Sequence, residues 1–345
     1  MKKTVRFYVS LVLAICLALS LCSCSSKQPE SSKQPEVSYS SENPLVLKFS
    51  DVNSSNSPAG VFCETFKALV EERTQGRVKI ELYFDGTLTG NDIEGTQTGI
   101  ADFSQHDVSE ITDLCKMLSV LEAPYVYEGE EQLFEITAPG SEIMNQINAE
   151  LKGKGVQLVA TYSWGNQQIL ANKPIYSEED LKGSKIRVIP SDIFVNSMEA
   201  MGGTATPMSW GDVITSLVTN MIDGTGLPFC YIVDCGMQDI IKYVIMTEHN
   251  PTLSGVFMNE ESYNKLTDED REILVQAGAE ARLKVSENIA ASNEEYRKII
   301  EEAGVTIIEH DELDFDWDKI RDTAHESFKD DWGDAYDQIL KILQK

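Results

Sequence analysis

Four histidines and seven cysteines are the residues of this 345-residue chain best suited to nucleophilic or metal chemistry, and their spacing argues against both. His106, His249, His310 and His325 include no pair at the i, i+4 spacing of a zinc-binding helix. No serine sits in a nucleophile elbow, and no glycine-rich phosphate loop is present. Gly202-Gly203 reads as a helix stop. Asp314-Phe315-Asp316-Trp317-Asp318 has the alternating acids of a calcium loop, but Lys319 takes the glycine position and His325 that of the bidentate acid. The run reads instead as a helix N-terminus carrying dipole-favoured acids. Cys63, in an apolar helical pattern, and Cys115, beside Leu114 and Met117, read as buried thiols. Cys230 and Cys235 could pair or stay free; their spacing fits no metal or redox signature. No enzyme, cofactor or metal is expected.

Charge narrows the partners. Twenty-nine Lys+Arg stand against 56 Asp+Glu, a net charge of −27, which argues against a nucleic-acid binder and against a face for anionic lipid. Lys2, Lys3 and Arg6 precede the apolar run Leu11 to Leu21, too short to span a bilayer, so residues 1–23 read as an export signal. The run ends Leu21-Cys22-Ser23-Cys24, which resembles a lipobox with Cys24 as the lipidated, palmitate-bearing first residue. Loss of the signal leaves 26 Lys+Arg against 56 Asp+Glu, a net charge of −30. The hexapeptide Ser25-Ser26-Lys27-Gln28-Pro29-Glu30 repeats at once as residues 31–36, with no apolar residue, so 24–44 reads as a flexible tether. The implied place is extracytoplasmic, lipid-anchored to the cell membrane.

The body reads as α/β. Leu45 to Phe49 and Arg77 to Phe84 alternate like strands, with a helix between them opened by Ser57-Pro58 and stopped at Gly76. A strand follows at Ala101 to Ser104. The grammar repeats with strands at Gly155 to Tyr162 and Ser184 to Ile189, a helix at Asp192 to Met201, and another capped by Ser209. Asp268 to Ala303 predicts one helix about 50 Å long. Its apolar stripe is Ile273, Ala277, Ala281, Val285, Ile289, Tyr296, Ile300 and Ala303. A strand at Val305 to Glu309 and amphipathic helices from Asp314 close the chain.

Asn172-Lys173-Pro174-Ile175 and the block Asp180-Leu181-Lys182-Gly183-Ser184-Lys185-Ile186-Arg187-Val188 resemble the solute-binding proteins of TRAP transporters, in their lipoprotein form. The resemblance extends through Thr206-Pro207-Met208-Ser209-Trp210-Gly211-Asp212-Val213, Met221-Ile222-Asp223-Gly224 and Glu248-His249-Asn250. Thr74 to Val78 and Gly86 to Gly90 extend it to the N-terminal half. It implies a two-lobed periplasmic-binding-protein-like fold with a long helix spanning both lobes. Lobe I would comprise 45–164 plus about 253–292, and lobe II 165–252 plus about 293–345, with helix 268–303 shared.

The resemblance makes Arg187 the guanidinium that clamps a ligand carboxylate, in keeping with the bidentate fork such a group offers. Trp210 would lie along the ligand. Trp164-Gly165-Asn166-Gln167-Gln168 falls where some members carry a second arginine, here Gln167, and Leu227 replaces an asparagine that helps hold the carboxylate. The implied site is less cationic and more apolar, suited to a monocarboxylate, a sugar acid or another organic acid. Asn53, Asn91, Phe103 and Gln105 match positions facing the cleft. The implied role is to capture a small organic acid as a monomer and deliver it to the membrane subunits of a sodium-coupled TRAP transporter. A tethered ligand-sensing receptor component of the same fold, or the binding protein of an ATP-driven importer, are the alternatives. An extracytoplasmic hydrolase is least favoured.

Overall fold

The computed structural model describes residues 39–90 and 93–342. Cys24, most of the expected tether and Asn91 lie outside the described residues.

Ten strands form one continuous network. They are β1 (Leu45–Ser50), β2 (Val78–Tyr83), β3 (Phe103–Asp107), β4 (Val156–Ala171), β5 (Lys185–Val188), β6 (Thr204–Pro207), β7 (Gly224–Pro228), β8 (Tyr243–Ile245), β9 (Pro251–Asn259) and β10 (Thr306–Ile308). The order is β2-β1-β3-β9-β4-β7-β5-β6, with β8 bridging β4 and β10. Alternation dictates the first pair: Leu47, Phe49, Val78 and Ile80 face the core while Lys48 and Lys79 face out. β1 and β2 are parallel, so the chain must cross over between them. It does so through helix Pro58–Arg73, whose cap Ser57 accepts from the Gly60 amide at 3.3 Å. Phe62, Phe66 and Val70 bury one face of that helix.

β4 joins the two halves. Its first part pairs antiparallel with β9, and its last five residues, Gln167 to Ala171, pair with β7. The register slips between Ser163 and Gly165, where Gly165 has φ +86°. The strand expected to end at Tyr162 thus runs on to Ala171 and pairs in both halves of the network. In the second half β5 pairs in parallel with β6 and β7, the side-by-side arrangement expected of an α/β unit.

The long helix, Asp268–Glu302, braces both halves. Thr267 Oγ1 accepts from the Asp270 amide at 3.0 Å, and three acids occupy the first turn. Leu274, Ala277, Ala281 and Val285 pack with Phe62, Phe66 and Val70. Ile300 packs with Leu170, Val213 and Val305. The buried stripe differs from the expected one. Leu274, Gly278 and Arg282 are buried, Ile273, Ile289 and Tyr296 are half-buried, and Ala303 is exposed. Steps of four residues drift around a 3.6-residue helix, so a stripe drawn that way leaves the face it began on.

Two further expectations change, and one alternative left open is decided. Tyr39, read as tether, is buried; its hydroxyl donates to Asp270 Oδ2 at 2.6 Å and accepts from the Thr267 amide. Phe103 does not face a cleft. It is fully buried and stacked on Phe49 at 5.5 Å, because it lies at the start of β3, two residues back from Gln105 on the same face. Cys230 and Cys235 are free thiols; they donate to the Trp164 and Tyr231 carbonyls respectively. Asp316 caps helix Trp317–Glu326 by accepting from the Lys319 amide, as read for the acidic run.

Candidate functional site

A cavity of about 160 Å³ lies where the two halves of the network meet. Seven residues proposed from the sequence line it: Asn53, Gln105, Trp164, Gln167, Arg187, Trp210 and Leu227.

Arg187 comes from β5, held between β6 and β7, and is only 5% exposed. Its Nε donates to the Met208 carbonyl at 2.9 Å. The loop leaving β6 therefore fixes the guanidinium, which explains why Thr206-Pro207-Met208 and the β5 block act together. Trp210 opens helix Trp210–Val218 directly after that loop, and the Arg187 guanidinium stands 5.8 Å from its ring centroid. Ser209 occupies the cap position, but its side chain makes no cap hydrogen bond. Burial lowers the Arg187 pKa to about 10, opposed by the negative charges of Glu110 and Asp107. It stays charged at neutral pH, a desolvated cation prepared for an anion.

The aromatic wall continues through Tyr231, whose ring centroid lies 5.5 Å from those of both Trp210 and Trp164. Trp164 is oriented by its indole N–H, which donates to Ser254 Oγ at 2.8 Å. Gln167 follows on β4; its Nε2 donates to Thr252 Oγ1 at 2.7 Å. A Cβ on Gly226 would come within 2.8 Å of Gln167 Oε1, so glycine there lets β7 close against the amide. Leu227 adds an apolar surface beside it.

The opposite wall is polar and acidic. Asp51 is buried and accepts from the Asn53 amide, from Asn53 Nδ2 and from Gln105 Nε2, the last at 2.6 Å. Gln105 Oε1 in turn accepts from the Tyr162 hydroxyl. Burial raises the Asp51 pKa against those hydrogen bonds. Asp51 thus holds Asn53 and Gln105 from behind, while Asp107 and Glu110 line the cavity themselves. Asp107 is hydrogen-bonded to the fully buried Glu122, and burial raises the pKa of both carboxyls, that of Glu122 well above the ordinary range.

The sequence reading missed Asp107, Glu110, Ile189, Tyr231, Thr252 and Ser254. They sit on β3, on β9 and in the turns after β3, β5 and β7, and only the strand order brings them together. The available signal was the end of β3: Gln105 was placed at the cleft, and Asp107 lies two residues further along the same face.

Two lobes joined through shared strands, with one buried arginine between an aromatic wall and an acidic one, define a small-molecule binding protein. The profile of bacterial extracellular solute-binding protein family 7, DctP, matches residues 49–330, and the chain belongs to that family. A solute-binding protein of Roseobacter denitrificans is 30% identical over 69% of this chain and 73% of its own length. The C4-dicarboxylate-binding periplasmic protein DctP of Rhodobacter capsulatus is 26% identical over 76% of this chain and 79% of its own. Among solved structures, a TRAP periplasmic solute-binding protein from Roseobacter denitrificans with bound L-galactonate superposes with a TM-score of 0.74. The two are 25% identical, and the match covers 87% of this chain and 99% of that one.

Proposed function

We propose that this protein captures a hydroxylated monocarboxylate, a sugar acid or a close analogue, outside the cytoplasm and presents it to a sodium-coupled TRAP transporter. The observation that carries the ligand class is the pairing of a single buried guanidinium with an acidic opposite wall. Arg187 suits one carboxylate. Gln167 and Leu227 supply no second cation, so a dicarboxylate would leave one charge unpaired in the cleft. Asp107 and Glu110 would repel that second carboxylate and accept hydrogen bonds from hydroxyls instead. The relatives support the class: the Roseobacter structure holds L-galactonate, and a Chromohalobacter salexigens structure of the same fold holds D-glucuronate. No catalytic step is proposed.

Lobe I would comprise 45–164 with about 253–292, and lobe II 165–252 with about 293–345, hinged where β4 slips register and β9 begins. Ligand touching Arg187 on one side and β3 on the other favours the closed form by its extra contacts there. Cys24 would carry the lipid. The protein would act as a monomer.

The test is calorimetric titration of the exported chain with sugar acids, their neutral parent sugars and C4-dicarboxylates. Binding should be confined to the monocarboxylates and lost at least a hundredfold in Arg187→Gln, which keeps the fold. Equal affinity of Arg187→Gln, or a preference for dicarboxylates, would overturn the assignment. Cys24→Ala should move the protein from the membrane to the soluble fraction; retention would refute the anchor.

A further inference from the structure

A chain of hydrogen bonds joins the aromatic wall of the cleft to the acidic one, and its two ends are chemically fixed. At one end the Trp164 indole N–H, which can only donate, reaches Ser254 Oγ at 2.8 Å. Ser254 stands opposite Tyr162 in the β4–β9 register and is hydrogen-bonded to its hydroxyl. The Tyr162 hydroxyl donates to Gln105 Oε1, and Gln105 Nε2 donates to Asp51 Oδ2 at 2.6 Å. Asp51, just beyond β1, is the other end. It is 2% exposed, and among the described residues it forms no ion pair. Its remaining side-chain partners also donate: the Asn53 amide at 2.7 Å and Asn53 Nδ2 at 3.0 Å to Oδ1, and the Cys63 thiol at 3.6 Å to Oδ2. Ringed by donors, Asp51 takes part as a carboxylate, which can only accept.

Fixed ends leave the middle no choice. Gln105 must point its amide nitrogen, not its oxygen, at a carboxylate, so the oxygen turns to Tyr162. The Tyr162 hydroxyl is spent on Gln105 and must accept from Ser254, whose oxygen accepts from Trp164. All four bonds run one way, toward Asp51, the arrangement in which successive bonds polarise and strengthen one another. The same carboxylate orients the Asn53 amide. Asn53, Gln105, Trp164 and Ser254 line the cavity, whereas Asp51 and Tyr162 are not among its lining residues.

We infer that Asp51 is a specificity-determining positioning residue. Without touching the ligand, it sets which groups of Asn53, Gln105, Ser254 and Trp164 donate and which accept, and so selects the pattern of ligand hydroxyls. This rests on the reading of the cleft as a site for a hydroxylated monocarboxylate. An amide cannot take its place. In Asp51→Asn the new amide nitrogen would face donors whichever way it turned, two N–H groups of Asn53 on one side or Gln105 and Cys63 on the other. Facing Gln105 sacrifices one strong bond instead of two. Gln105 then turns over to accept from position 51, Tyr162 receives from Gln105, and the direction of the chain reverses as far as Ser254.

The experiment uses the exported chain and compares affinities for L-galactonate and D-glucuronate with that for hexanoate, which has the carboxylate and none of the hydroxyls. The ratio between the two classes cancels the change of charge at position 51. The second readout is the Trp164 indole N–H resonance, identified as the signal lost in Trp164→Phe. In Asp51→Asn the ratio should fall about tenfold or more, the equivalent of one charge-assisted hydrogen bond, and the Trp164 resonance should shift. The double variant Asp51→Asn/Gln105→Glu restores the wild-type charge and moves the terminal acceptor one link along the chain. It should return the resonance toward its wild-type position; a resonance that stays displaced would overturn the one-way chain. Tyr162→Phe cuts the chain by one oxygen and leaves Asp51 in place. It should lower the ratio and shift the resonance as well, so the test survives if Asp51→Asn fails to fold. An unchanged ratio in Asp51→Asn, or an unmoved Trp164 resonance, overturns the inference. Wild type that binds hexanoate as tightly as the sugar acids, or binds none of the three, would instead overturn the reading of the ligand. The Trp164 resonance would then still decide whether Asp51 sets the direction of the chain.

Discussion

At the scale of single residues, the acidic wall is the part of the site that answers to pH. Glu122 accepts from the Leu253 amide at 2.7 Å and the Ser109 amide at 3.1 Å, and shares a hydrogen bond with Asp107. Arg187 acts on Asp107 from across the cleft, and the half-buried Tyr127 lies close enough to feel the Glu122 charge. Two carboxyls in contact, one fully buried and one half-buried, favour keeping a proton between them. Their folded pKa values are raised, so the folded state binds more protons than the unfolded one above the ordinary carboxyl range. Stability from this pair is complete at low pH and is lost as pH rises through the pair's own titration. His249 and His325 have the opposite sign. Burial lowers them to about 3 and about 4, so their contribution is present above about pH 6.5 and lost as pH falls. The thermal midpoint of Glu122→Gln, subtracted from that of wild type between pH 5 and 8, cancels the histidines. The difference should decline with rising pH; a flat difference would mean the pair does not hold the proton. None of this was legible in the sequence. Asp107, Glu122 and Leu253 meet only because β3 and β9 are neighbours and the turn after β3 folds back over them. Arg187 was legible because its partners, Met208 and Trp210, lie within one contiguous motif region.

At the scale of elements, the long helix was read correctly in extent and wrongly in orientation. Its cap at Thr267 and its stop near Gly304 are local chemistry, which a sequence carries openly. Which face is buried is decided by what it packs against, and here the contact is set by a glycine and an arginine that no apolar stripe would include. Phe103 failed for the same reason: alternation gives the face of a strand but not the depth along it. β4 was read as ending at Tyr162, whereas Gly165 bends the strand without ending its pairing. The helix–strand contact makes a direct prediction. Gly278→Ala gains helix propensity of about 1 kcal/mol. Its Cβ would also meet the Ala160 Cβ at 2.5 Å and must push the helix off β4, an overpacking cost of about 1–3 kcal/mol. The net effect should be a lower thermal midpoint with an unchanged denaturant slope. A raised midpoint would show that the helix does not press on β4 as closely as the 2.5 Å approach requires.

At the scale of the whole molecule, the net charge sets how an anion arrives. The chain carries −27, and −30 once the first 23 residues are removed, yet the proposed ligand is negative. Two ranges of electrostatics are therefore opposed. At about 0.01 M salt the Debye length is about 30 Å, and an approaching carboxylate feels the whole acidic body. At about 0.15 M it shrinks to about 8 Å, and only the groups at the cleft are felt, with Arg187 the one attractive charge among its lining residues. Ordinary steering of opposite charges slows as salt is added. Here the association rate should instead rise between these two salt concentrations. The dissociation rate, governed by the desolvated guanidinium contact, should change little. Stopped-flow measurement of tryptophan fluorescence, with Trp164 and Trp210 both lining the site, reads each rate separately. A rate that falls with salt would mean that Arg187 already dominates the field beyond the cleft. The acidic surface would then be irrelevant to capture, leaving solubility as its sole electrostatic role.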